Sequence, residues 1–258
     1  MNTGTFRTTV CLPGVLAHGE RQFRPVSHVL PACDDGPIAW EYTTPIFRAH
    51  KEVSQVAGLL ANLTYLGSDQ VGLVGASLGG VLIPLVVSQL ASSVRERLKI
   101  VIVDAPAGLK TIKDPMARWA SLARLASPIT RHIKVPVTDN MLPRDDQITT
   151  SFDRWRLYEI AKRDLSGHKV STLVGQTAWM DRVMRNGSLA RACKALIGLD
   201  VIYVVCTKWN ATIRQPRAVE WWQAQVPTLR VVEVKATHCG FLQNQPEFVD
   251  TFRDIFGT

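Results

Sequence analysis

The chain has 258 residues, 46% of them apolar and 20% charged, which excludes a disordered or low-complexity polypeptide. A chain of this length buries a sizeable core without disulfide or metal staples. Thirty Lys and Arg against 22 Asp and Glu give a net charge of +8. The basic residues are scattered, with no run of five or six like charges. They therefore read as a solvated surface rather than a nucleic-acid interface.

In chain order, the first apolar run is Thr8–Leu12, followed by the turn Leu12-Pro13-Gly14. A second run, Ile38–Tyr42, precedes a helical pattern over Phe47–Leu60, with Val53, Val56, Leu59 and Leu60 on one face. Val71–Gly75 is the third strand and Leu78–Leu90 the next helix, apolar nearly all round. From Val71 to Val94 no charged residue occurs, long enough to span a bilayer. The stretch is broken by glycines, serines and a proline, however, and reads as strand, tight turn and buried helix.

Lys99–Asp104 is the fourth strand. Residues 108–196 carry no strand pattern but several helical ones (Pro115–Leu125, Thr150–Lys162, Ser171–Met184), which predicts an inserted helical cap. Its aromatics, Trp119, Phe152, Trp155, Tyr158 and Trp179, fill the insertion's own core or line an apolar pocket. Asp200–Cys206 and Leu229–Val234 complete six strands. A last helix begins near Pro246 and bears Phe248, Val249, Phe252, Ile255 and Phe256 on one stripe. The strands are rich in β-branched residues and lack strict alternation, so they read as buried and parallel. Strands alternating with helices predict a doubly wound α/β fold with a mostly parallel six-stranded sheet. Residues 1–107 and 197–258 would form the core, and 108–196 the cap.

The sharpest motif is Gly75-Ala76-Ser77-Leu78-Gly79. A bare G-x-S-x-G is weak, but here it joins an apolar strand to an apolar helix, the setting of a nucleophile elbow. Small neighbours let the serine sit on a sharp turn, and Gly80 allows close helix–sheet approach. Ser77 then stands at a helix N-terminus, where free N–H groups and the dipole favour negative charge.

On these residues the chain resembles the α/β-hydrolase family along nearly its whole length. The resemblance implies an oxyanion loop at Leu12-Pro13-Gly14, with Pro13 where the family often has histidine. Val15 and Leu78 would supply the backbone donors, with Gly14 beside the substrate. Thr237-His238-Cys239-Gly240-Phe241 falls after the last strand, where the family carries its catalytic histidine, so His238 is the expected general base. The acid has two candidates. Asn210 stands near the usual place after the penultimate strand but cannot stabilise an imidazolium by charge. Asp104 ends the strand after the elbow, at the same sheet edge, where it would be either the triad acid or a cap of the following turn. Asp200 begins its strand and belongs to the opposite edge. His18, just beyond Gly14, is a further candidate for the pocket.

The expected activity is a serine hydrolase acting on a small, largely apolar ester or related acyl substrate through an acyl-enzyme. Ser77, His238 and Asp104 would carry it, with no metal or organic cofactor. The missing G-x-x-x-x-G-K-[ST] and G-x-G-x-x-G patterns speak against phosphoryl and hydride transfer. Carbon–carbon bond or lactone hydrolysis in the same fold is an alternative, as is a non-catalytic protein binding a small apolar ligand. The five cysteines, Cys11, Cys33, Cys193, Cys206 and Cys239, form no C-x-x-C pair. They point to free thiols in a reducing compartment. With no apolar leader in MNTGTFRTTV, a cytoplasmic protein without stable membrane insertion is expected.

Overall fold

The computed structural model describes residues 6–15, 17–32, 36–42, 47–67, 69–107, 111, 170–208, 213–236, 238 and 246–258. Six parallel strands form one sheet: β1 (Phe6–Leu12), β2 (Ile38–Ala39), β3 (Gln70–Ala76), β4 (Leu98–Val103), β5 (Asp200–Cys206) and β6 (Arg230–Val234). Their spatial order is β2-β1-β3-β4-β5-β6. Every neighbouring pair runs parallel, as the uninterrupted apolar runs predict.

The helices are α1 (Gly19–Phe23), α2 (Ala49–Tyr65), α3 (Leu78–Ser88), α4 (Ser92–Arg95), α5 (Val170–Arg185), α6 (Ser188–Cys193), α7 (Gln215–Gln225) and α8 (Pro246–Phe256). They cover both faces of the sheet. On one face, Val10, Leu73, Ile100, Ile102 and Tyr203 pack against α2, α3 and Trp222 of α7. On the other, Cys11, Val74, Val101, Val103 and Val204 meet Phe23, Val26 and the Phe248–Phe252–Phe256 stripe of α8. Consecutive strand residues thus enter different cores, which is why these strands are apolar throughout.

Among the described residues no helix is long and apolar enough to cross a membrane. The uncharged stretch from Val71 opens as β3, turns at Ser77 and continues into α3. The expected cap falls mostly on residues 112–169, outside the described residues. Its described part, from Val170 to Leu196, is helical, and α6 with the turn after it packs on α3.

Candidate active site

The glycines of the elbow are there for space. A Cβ on Gly75 would stand 2.6 Å from the Gly79 carbonyl carbon, and one on Gly79 would collide with the Leu12 carbonyl. A Cβ on Gly80 would meet Ala105 and Ile102. Two close backbone approaches and one against the Ala105 and Ile102 side chains therefore hold α3 onto the sheet. The turn they permit places Ser77 at φ 50°, ψ −109°, as the N-cap of α3. Such a backbone costs a residue with a side chain about 1–3 kcal/mol. Ser77 is half-buried, and Leu78 behind it is fully buried as the first helical residue. The Leu78 N–H thus has no partner inside the helix.

Asp104 is the first residue beyond β4, as Ser77 is beyond β3. Ala76 pairs with Val103 across the two strands, and the Ser77 N–H donates to the Val103 carbonyl at 2.9 Å. Adjacent strands lie about 4.8 Å apart, so the two residues are neighbours. Asp104 also has positive φ, 44°. His238, beyond β6, bonds Asp104: its Nδ1 lies 2.7 Å from Oδ2, with the histidine side chain 15% exposed and the aspartate 1%. A carboxylate accepts, so Nδ1 carries the proton and Nε2 is left to accept.

Buried donors brace the Asp104 turn. Tyr203 Oη and Trp222 Nε1 both donate to the Ala105 carbonyl, at 2.9 and 3.1 Å. Burial, and then the charges of Asp104 and Cys206, hold the Tyr203 phenol well above its usual pKa. It therefore stays a donor. Further along, the Ala107 N–H donates to Thr111 Oγ1 at 3.0 Å.

The loop after β1 is held from two sides. Tyr42 Oη donates to the Pro13 carbonyl at 2.8 Å, and the Gly14 N–H donates to Gln22 Oε1 at 2.8 Å. Gly14 lies against the serine: a Cβ there would be 3.4 Å from Ser77 Cβ. Val15 is half-buried and packs on the core. Trp179 of α5 meets Phe47 edge-on at 5.6 Å, and Phe47 meets Tyr42 at 5.5 Å. This aromatic of the expected cap thus packs toward Tyr42, which holds the loop after β1.

At the carboxyl edge of the sheet, Ser77 and Asp104 thus leave adjacent strands, His238 bonds Asp104, and Gly14 and Leu78 adjoin Ser77. Asn210 lies outside the described residues. His18 Nδ1 is 3.4 Å from Glu41 Oε2, a polar contact near the surface. Asp200 is at the opposite edge, beside Lys99. Sequence reasoning missed Gln22, Tyr42, Tyr203 and Trp222. Only the last two carried a usable signal, as polar-tipped aromatics in apolar settings that require a buried acceptor.

A family model described as the alpha/beta hydrolase family matches residues 4–251. A search of curated protein sequences finds no match. Solved structures similar in fold include a carboxylesterase of the Thaumarchaeon Nitrososphaera gargenis, with TM-score 0.67 at 12% identity, covering 100% of this chain and 92% of that one. Monoglyceride lipase from Saccharomyces cerevisiae gives 0.67 at 14% identity, over 99% of this chain and 87% of that one. The enol-lactonase from Burkholderia xenovorans gives 0.63 at 13% identity, over 100% and 94%. At such identities the likeness is one of fold.

Proposed function

The chain belongs to the α/β-hydrolase family, and from that premise we propose that it is a serine hydrolase cleaving a small, largely apolar ester or related acyl substrate. Ser77 Oγ attacks the carbonyl carbon while His238 Nε2 takes its proton and passes it to the leaving group. Asp104 accepts from Nδ1–H and stabilises the imidazolium. The Leu78 and Val15 N–H groups hold the oxyanion, each such donor contributing about 10²–10³ in rate. Water, deprotonated by His238, then releases the acid from Ser77. The steps run on protein groups alone and call for neither metal nor organic cofactor. The thiols of Cys11, Cys193 and Cys206 are buried and form no disulfide among the described residues, in keeping with a reducing, cytoplasmic setting.

One observation carries this reading: a histidine hydrogen-bonded at 2.7 Å to a nearly sealed aspartate 134 residues away in sequence, beside a serine held in strained backbone. Incubation with a fluorophosphonate probe is expected to label Ser77, and Ser77→Ala to abolish labelling and ester turnover. An unlabelled, folded wild type would replace this reading with ligand binding on the same scaffold.

A further inference from the structure

Gln22 does more than brace a loop. It sits on α1, is 7% exposed, and its Oε1 accepts from the buried Gly14 N–H. That bond settles the orientation of the carboxamide, because an N–H requires an acceptor and only the oxygen end can accept. Nε2 is therefore the end turned toward the serine. It lies 3.5 Å from the point where a Gly14 Cβ would stand, and Ser77 Cβ lies 3.4 Å from the same point. The amide and the serine side chain therefore both border the space beside Gly14. Among the described residues nothing accepts from Nε2. Holding the Gly14 N–H needs an acceptor alone, yet the residue present carries two donors as well.

We propose that Gln22 is a catalytic residue: its Nε2–H donates to the substrate's carbonyl oxygen as that oxygen becomes negative on attack by Ser77. This rests on the serine-hydrolase reading above. It adds a side-chain donor to the backbone N–H groups of Val15 and Leu78. The geometry suits an oxyanion site because the amide is fixed before substrate arrives, so no reorganisation accompanies the developing charge. The small residue at position 14 follows from the same arrangement, since any side chain there would fill the gap in which the oxygen must sit.

Gln22→Glu is the discriminating variant. It keeps an acceptor for the Gly14 N–H but puts an oxygen where the donor was. The expected result on a short p-nitrophenyl ester is a kcat lower by about 10²–10³, with KM little changed and thermal unfolding near wild type. A purely structural Gln22 predicts wild-type kcat in Gln22→Glu and loss only in Gln22→Met, and that result would overturn the proposal. Should Gln22→Glu fail to fold, Gly14→Ala tests the same space. Its methyl would make ordinary contacts with both Nε2 and Ser77 Cβ and stand between them. Its kcat should fall as well, and an undiminished kcat would overturn the proposal. Fluorophosphonate labelling of the wild type separates the two failures. A labelled wild type with unimpaired variants removes the role of Gln22 alone, and an unlabelled wild type removes the hydrolase reading with it.

Discussion

Ser77 and Asp104 leave adjacent parallel strands one step beyond the same paired register, Ala76 with Val103. Among the described residues they are the only non-glycines with positive φ, 50° and 44°. Two strained residues side by side at one sheet edge, one of them bonded to His238, mean that the surrounding packing holds both turns against their backbone preference.

This pairing allows chemistry to be separated from stability at position 104. Asn tolerates positive φ almost as well as Asp, so Asp104→Asn should leave the thermal midpoint close to wild type. It should nonetheless lower kcat by about three to four orders of magnitude, because an amide neither fixes the right imidazole tautomer nor offsets its charge. Asp104→Ala should also lose about 1–2 kcal/mol of stability from the same φ. Steady-state kinetics with thermal unfolding on both variants checks this. Full activity in Asp104→Asn would remove Asp104 from the mechanism.

The glycines separate in the same way. Gly75→Ala forces a Cβ within 2.6 Å of Gly79 backbone, where nothing flexible yields. It should cost at least about 1–3 kcal/mol, as overpacking does, and displace Ser77. Gly58 lies exposed in the middle of α2 with nothing within 4 Å of an added Cβ. Gly58→Ala should therefore stabilise by roughly 0.5–1 kcal/mol through backbone entropy. Urea midpoints of the two variants should move in opposite directions.

How legible all this was in the sequence depended on the range of the interaction. Buried parallel strands announce themselves as apolar runs, so all six were found. The elbow was found because its glycines are spaced by local geometry. The boundaries were less exact where side chains overrode pattern. β2 ends at Ala39 rather than Tyr42: the Trp40 N–H still donates to the Cys11 carbonyl of β1, while the side chains of Trp40 and Tyr42 bond Glu52 and the Pro13 carbonyl. α2 runs past Leu60 to Tyr65, its polar end hidden by Thr64, whose hydroxyl bonds back to the Leu60 and Ala61 carbonyls. Gln22 was illegible. It lies in the string GERQF, which looks like surface, and its partner Gly14 reaches it through a loop that has no period. Asp104 read equally well as a turn cap or an acid, because its contact with His238 is made by the fold and not by spacing.

Alkaline stability follows from the buried thiols and phenols. Burial raises the Cys193 thiol from 9.0 to about 12. The Cys11 thiol and the Tyr42 and Tyr203 phenols are also raised, burial being the largest cause for each. These groups are neutral when protonated, and between their unfolded and folded pKa values the unfolded chain holds fewer protons. Stability then falls as pH rises. Their contribution is complete below about pH 9 and lost progressively above it. Thermal midpoints should decline from pH 9 upward, with Tyr42 and Tyr203 ionising only as the chain unfolds. Iodoacetamide at pH 8 should leave Cys11 and Cys193 unmodified in the native protein and modify both in urea. Ready native alkylation of either would contradict the burial.

The Ala105 carbonyl offers a sharper energetic test, since Tyr203 Oη and Trp222 Nε1 both donate to it in a buried site. Two donors occupy its two lone pairs, so either one alone still satisfies it. Tyr203→Phe should then cost only about 0.5–1.5 kcal/mol, the net worth of one hydrogen bond. Trp222→Phe should cost more, because it also opens a cavity beneath α7, where Trp222 is fully buried. The double variant leaves a buried carbonyl with neither donor, adding a desolvation penalty that neither single change incurs. A double-mutant cycle by urea denaturation should therefore show destabilisation beyond the sum of the singles by at least about 0.5 kcal/mol. Because this carbonyl directly follows Asp104, kcat should also drop further in the double variant than the product of the single effects. Strict additivity in both stability and kcat would mean that the two donors do not share the carbonyl in solution.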